Sequence, residues 1–140
     1  MLIQPYLFFD GRCEEALAFY GKAVGAQVQT LLRFKDMPEP ADGQAAGPRP
    51  ADREKIMHAS MKIGESLVNA SDGECGGSPT FQGFSLVINA KDDDEARRAF
   101  DALLEGGGTA TMPLSKTFFA SSFGMLADRF GVHWMVMSPP

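Results

Sequence analysis

The residues of this 140-residue chain that stand out first as able to carry catalysis or hold a metal are His58, His133, Cys13, Cys75 and the acidic run Asp92–Glu95. The two cysteines form no C-x-x-C pair and no metal-ligand spacing. Cys13 falls at an expected helix N-terminus, where the dipole favours a thiolate. Glu14 and Glu15 beside it oppose that, so a packed thiol is the expectation. In the acidic run, Asp92 suits a helix N-cap with Glu95 three residues on, and Asp93 and Asp94 suit the positive end of the dipole. The run therefore reads as a helix start rather than a metal site. Ser60 and Ser85 could act as nucleophiles only beside a base and an orienter, and no G-x-S-x-G motif surrounds either. His58 and His133 read first as hydrogen-bonded strand residues. The alternative is that both converge with Glu65 or Asp128 as a metal site.

These residues sit on a repeated unit. Pro5 to Ala26 reads as an apolar strand, a polar turn at Asp10-Gly11, and a helix with Cys13, Ala16, Leu17, Tyr20, Ala23 and Val24 on one face. Gly25 is the stop signal. Ser85 to Gly106 repeats the pattern at an offset of 80 residues, with Glu95-Ala96 in place of Glu15-Ala16 and Phe100 in place of Tyr20. Gly106-Gly107-Gly108 follows a helix instead of opening one, so it is a helix stop and not a phosphate loop. Strands are expected at Gln27–Phe34, Ile56–Ile63, Ser66–Ser71, Thr109–Leu114, Phe118–Ala127 and Val132–Met137. Asp36 to Arg53 holds four prolines and little to bury, and is expected to be a mobile loop. Asp72 to Thr80 reads as a linker. The spacing predicts one α+β domain over residues 1–140, built of two βαβββ modules at 1–72 and 81–138.

Composition narrows the partners. The net charge of −5 and pI near 4.9 repel phosphate backbones and anionic lipid surfaces. Nucleic acid and membranes are not expected partners. No stretch approaches a membrane span. MLIQPYLFF lacks a basic leader and a small-residue cleavage site, so no signal peptide is expected. A reduced, cytoplasmic setting is the simplest reading of the cysteines.

Three stretches, PYLFFDGRCEEALAFY, KIMHASMKIGESLVNASD and FGMLADRFGVHWMV, together resemble the vicinal oxygen chelate superfamily and, within it, the PhnB-like group. That superfamily includes glyoxalase I, bleomycin-resistance proteins and extradiol dioxygenases. The resemblance implies the glyoxalase/bleomycin resistance/dihydroxybiphenyl dioxygenase fold, with curved half-sheets around a cavity, and a homodimer, which the excess of apolar strand residues such as Phe118, Phe119, Met125 and Met137 also favours. PhnB-like proteins often carry a ubiquinone methyltransferase label. A nucleoside-type methyl donor calls for a glycine-rich turn after a strand, and the sequence has none.

Metal-dependent members hold a divalent ion on the first and last strands of each module. Counted back without a gap, those positions fall on Pro5 and Ser85; counted along the last strands, on Asn69 and Met135. None is His, Glu, Asp or Cys, so no metal and no other cofactor is expected. Leu7, Phe9, Asn69, Ser85, Asn89, His133 and Met135 share the implied inward parity and are the candidate cavity lining. The sequence leaves open whether the chain is an enzyme. The expected function is metal-free binding of a small apolar molecule. The alternatives are a divalent-metal isomerase, lyase or dioxygenase, and a scaffold whose cavity is filled core.

Overall fold

The structure, a computed structural model, describes the chain except Ala46, Pro48, Arg49 and Gly77. It divides into two compact units, Met1–Pro79 and Thr80–Pro140. Part of the loop expected to be mobile and part of the linker lie outside the described residues.

In the first unit, β1 (Tyr6–Phe8) leads to α1 (Cys13–Val24), then β2 (Gln27–Arg33), β3 (Ile56–Ile63) and β4 (Ser66–Ser71). The strands form a four-stranded sheet in the order β1-β4-β3-β2, with β1 parallel to β4 and the other pairs antiparallel. The second unit repeats this with β5 (Leu86–Asn89), α2 (Asp93–Leu104), β6 (Thr109–Ser115), β7 (Ser122–Ala127) and β8 (His133–Ser138), in the order β5-β8-β7-β6. Neither sheet closes on itself. The repeat is thus βαβββ twice, as the 80-residue periodicity predicts.

Each helix covers one face of its sheet because its apolar stripe needs burial. Cys13, Ala16, Leu17, Phe19 and Tyr20 of α1 are buried, along with Leu7, Ala59, Met61, Val68 and Ala70 from alternate strand positions. Phe9 is fully buried beside Tyr20, with ring centroids 6.0 Å apart. Burying a side chain of that size contributes about 1.5–3 kcal/mol. In the second unit Ala96, Phe100 and Leu103 of α2 are buried, with Leu126, Trp134 and Val136 from the sheet. The helix comes close at Gly124, where an added Cβ would lie 2.7 Å from the Phe100 ring, so no larger residue fits there without displacement.

The helix ends follow local chemistry. Gly25 takes φ 71° in the left-handed region and stops α1. The Asp92 carboxylate accepts from the Glu95 N–H at 2.8 Å, the N-cap the sequence predicts. α1 has no such local cap. Its first turn is held by Asp72, which accepts from the N–H groups of Gly11 (2.9 Å), Cys13 (2.7 Å) and Ile56 (2.7 Å) and is itself buried.

One expected strand is shorter than its sequence suggests. β7 begins at Ser122, not Phe118. The Thr117 hydroxyl accepts from the Ala120 N–H at 3.1 Å, and the Thr117 N–H donates to the Ala120 carbonyl at 3.0 Å. That local turn takes the backbone groups a ladder would need. Phe118 is left wholly exposed and Phe119 partly so.

Candidate functional site

The face of each sheet turned away from its helix carries the accessible side chains, and register decides which residues share it. In the first unit Tyr6, Asn69, Ser60 and Thr30 are direct neighbours across the four strands. Phe8, Leu67, His58 and Lys62 share that face by alternation. Tyr6 and His58 meet there, the phenol oxygen 2.8 Å from Nδ1. Burial pushes the Tyr6 phenol up from its ordinary pKa, so it is neutral near pH 7. Phe8 stacks on Tyr6 with ring centroids 5.1 Å apart.

In the second unit the matching row is Val87, Met135, Met125 and Met112, directly opposed across the four strands. The next row runs through Asn89, Met137, Phe123 and Ser115. Half of the chain's eight methionines therefore lie on this one face. At one end an open depression of about 590 Å³ is lined by Gln82, Gly83, Phe84, Ser85, His133 and Met135. Ser85, His133 and Met135, candidates from the sequence, are thus brought together. Asn89 shares their face but lies further along it and does not line the depression. Asn69 is on the outer face of the first sheet.

Leu7 and Phe9 are elsewhere. Both are buried against α1, 2% and 0% exposed, so neither lines an accessible surface. The reason is one extra residue in a turn. Phe9 N–H donates to the Ser71 carbonyl, and Ala90 N–H donates to the Met137 carbonyl, so Phe9 and Ala90 are equivalent and 81 residues apart. The helices begin at Cys13 and Asp93, 80 residues apart. The turn Asp10-Gly11-Arg12 absorbs the difference with φ of 54° at Asp10 and 110° at Gly11. Counting without a gap therefore inverts the parity of the first strand, and Tyr6 and Phe8 take the places assigned to Leu7 and Phe9.

The same shift corrects the metal positions. Gln4, not Pro5, corresponds to Ser85. Its side-chain oxygen accepts from the Asn69 amide at 3.0 Å, and the Pro5 carbonyl accepts from the Asn69 N–H at 3.0 Å. The four positions are then Gln4, Asn69, Ser85 and Met135: two amides, a hydroxyl and a thioether. Without an anionic or imidazole donor, such a set compensates poorly for stripping water from a divalent ion. Among the described residues no group of three or more His, Cys, Asp or Glu side chains converges.

The other candidate chemistry is committed to structure. Asp128 is buried and accepts from the N–H groups of Phe130 and Val132 and from the Trp134 indole at 2.9 Å. Burial, with Asp72 and Glu14 nearby, pushes the Cys13 thiol well above its ordinary range, so it is not a nucleophile. Asp93 accepts from the hydroxyls of Ser121, Ser122 and Ser138 at 2.8, 2.7 and 2.7 Å. The candidate lining read from the sequence left out Tyr6, Phe8, Gln4, Met112, Met125 and Met137. Strict alternation with His133 and Met135 was a usable signal for Met137 only.

A four-stranded mixed sheet with a helix on one face, made twice from βαβββ order, is the architecture of the vicinal oxygen chelate superfamily. A glyoxylase/bleomycin resistance protein/dioxygenase domain from Frankia shares it at a TM-score of 0.64 and 12% identity, covering 99% of this chain and 94% of that one. The family model described as 3-demethylubiquinone-9 3-methyltransferase matches residues 2–137, and the chain belongs to that family. Protein YjdN of Escherichia coli is 35% identical over 97% of this chain and 94% of its own length. Protein PA1353 of Pseudomonas aeruginosa is 41% identical with a TM-score of 0.82, covering 99% of this chain and 98% of that one. A Bacillus cereus PhnB protein has 24% identity and a TM-score of 0.77, covering 99% of each chain. Among the described residues no helix is long and apolar enough to cross a membrane.

Proposed function

We propose that the protein binds a small, largely apolar molecule on the outer face of its second sheet, without a divalent metal. The observation that carries this is the in-register row Val87–Met135–Met125–Met112, beside the depression at Ser85 and His133. Methionines re-shape around irregular apolar ligands at little strain. Ser85, Gln82 and His133 supply the few polar groups that orient a ligand on such a surface. The wholly exposed Phe118 and the partly exposed Phe119 support a homodimer.

The test is ligand screening against protein carrying ¹³C-methyl methionine, with naphthalene and indole as apolar probes. Saturable shifts at Met125 and Met135 are expected. Elemental analysis after dialysis accompanies it, with no stoichiometric zinc, nickel or manganese expected. One metal per chain, lost in His133→Ala, would overturn this reading in favour of a metal-dependent isomerase, lyase or dioxygenase.

A further inference from the structure

The outer face of the first sheet has a different character. Its aromatic strip runs Phe8–Tyr6–His58, the last pair 5.6 Å apart between centroids. Hydrogen-bond donors surround that strip. Asn69 is held by Gln4 through one amide proton, which leaves the other free to donate. Ser60 is its cross-strand neighbour, and Lys62 is two residues further along β3 on the same face. None of the residues that β1, β2, β3 and β4 place on this face is an aspartate or glutamate, although the chain as a whole carries a net charge of −5.

We propose that this face binds a planar aromatic carboxylate, its ring against Tyr6 and Phe8 and its oxygens on His58 and Asn69. Tyr6 sets the histidine for that role. In the tautomer in which the phenol donates to Nδ1, the neutral imidazole carries its proton on Nε2. The imidazolium also has a proton there. Both states present a donor at Nε2, which suits a carboxylate oxygen and does not suit a cation. An aromatic ring gains offset or edge contacts with Tyr6 and Phe8 that a saturated ring does not. Tyr6 is thus a positioning residue, and His58 the residue that touches the ligand.

The experiment is NMR titration of the full chain with 2-naphthoate, followed through the His58 imidazole signals and, separately, the methionine methyls. 2-Naphthalenemethanol keeps the ring without the charge, and cyclohexanecarboxylate keeps the charge without the aromatic ring. Saturable movement of the His58 signals is expected with 2-naphthoate, with binding weaker by about tenfold or more for 2-naphthalenemethanol, the loss typical of one charge-assisted hydrogen bond, and weaker also for cyclohexanecarboxylate, which lacks the aromatic contacts with Tyr6 and Phe8. His58→Leu should weaken 2-naphthoate binding about tenfold. Tyr6→Phe, which keeps the ring, should weaken the acid more than the alcohol. Lys62→Met, an exposed substitution that leaves the core intact, should also weaken the acid selectively. Equal affinity for acid and alcohol would overturn the proposal. So would unchanged binding in both His58→Leu and Lys62→Met, or no saturable shift up to the solubility limit. Failure here leaves the second-sheet reading untouched, because that reading is followed through the methionine methyls and apolar probes.

Discussion

Replacing Asp72 should unfold the first unit at conditions the native chain survives. Its carboxylate accepts three backbone N–H groups, from Gly11, Cys13 and Ile56, at 2.9, 2.7 and 2.7 Å. Hydrogen bonds to a charged group contribute about 1.5–3 kcal/mol each, and the sum is not additive. Gly11 is only part-buried, so water can take over its N–H, whereas the bonds to Cys13 and Ile56 are buried. Two stranded buried donors set the cost of Asp72→Ala at about 3–5 kcal/mol. Asp72→Asn keeps one acceptor oxygen for Gly11 and Cys13 but turns an amide N–H toward Ile56, for a cost of about 2 kcal/mol. The total stability of a domain is about 5–15 kcal/mol, so the alanine variant should lose a large share of it. Urea unfolding by circular dichroism, with amide exchange at Cys13 and Ile56, reads the effect. Asp101→Ala is the control. Its ion pair with Arg97 is 3.6 Å long and exposed, and removing it should cost under about 0.5 kcal/mol. An Asp72→Ala variant within about 1 kcal/mol of wild type would refute the claim that this carboxylate holds the strand-to-helix turn.

Further outcomes follow from the same contacts. In native protein at about pH 8, Ellman's reagent should titrate only Cys75, and slowly, because burial and Asp72 also hold its thiol up; Cys13 should react only on unfolding. Two fast thiols would contradict the buried Cys13. The Asp93 carboxyl is held below its ordinary range by the hydroxyls of Ser122, Ser138 and Ser121. A depressed carboxylate pKa stabilises the fold above the unfolded value of about 3.9, and that contribution is lost as pH falls through the folded value. Ser122→Ala should move the Asp93 midpoint upward in a carboxyl NMR titration, and an unmoved midpoint would count against the three-serine cradle. Light scattering at micromolar concentration should give a dimer mass, and Phe118→Ser with Phe119→Ser should shift it toward monomer; a wild-type monomer rules the homodimer out.

Much of the fold was legible because its signals are local. The spacing of Ala16, Leu17 and Tyr20 specifies one helix stripe, and Gly25 stops that helix because a left-handed φ costs glycine nothing. Asp92 and Glu95 lie three residues apart, within one turn, so the start of the second helix could be read directly. The period-two alternation of β8 gave His133 and Met135 one face. Tertiary structure alone decided the parity of the first strand. One added residue in the turn Asp10-Gly11-Arg12, absorbed by positive φ at Asp10 and Gly11, moves Leu7 and Phe9 into the core and puts Tyr6 and Phe8 outside. It also decided which distant groups meet. Asp72 meets Cys13 across 59 residues, and Tyr6 meets His58 across 52. No local pattern encodes such pairings, because they arise only when β1, β3 and β4 lie side by side in one sheet.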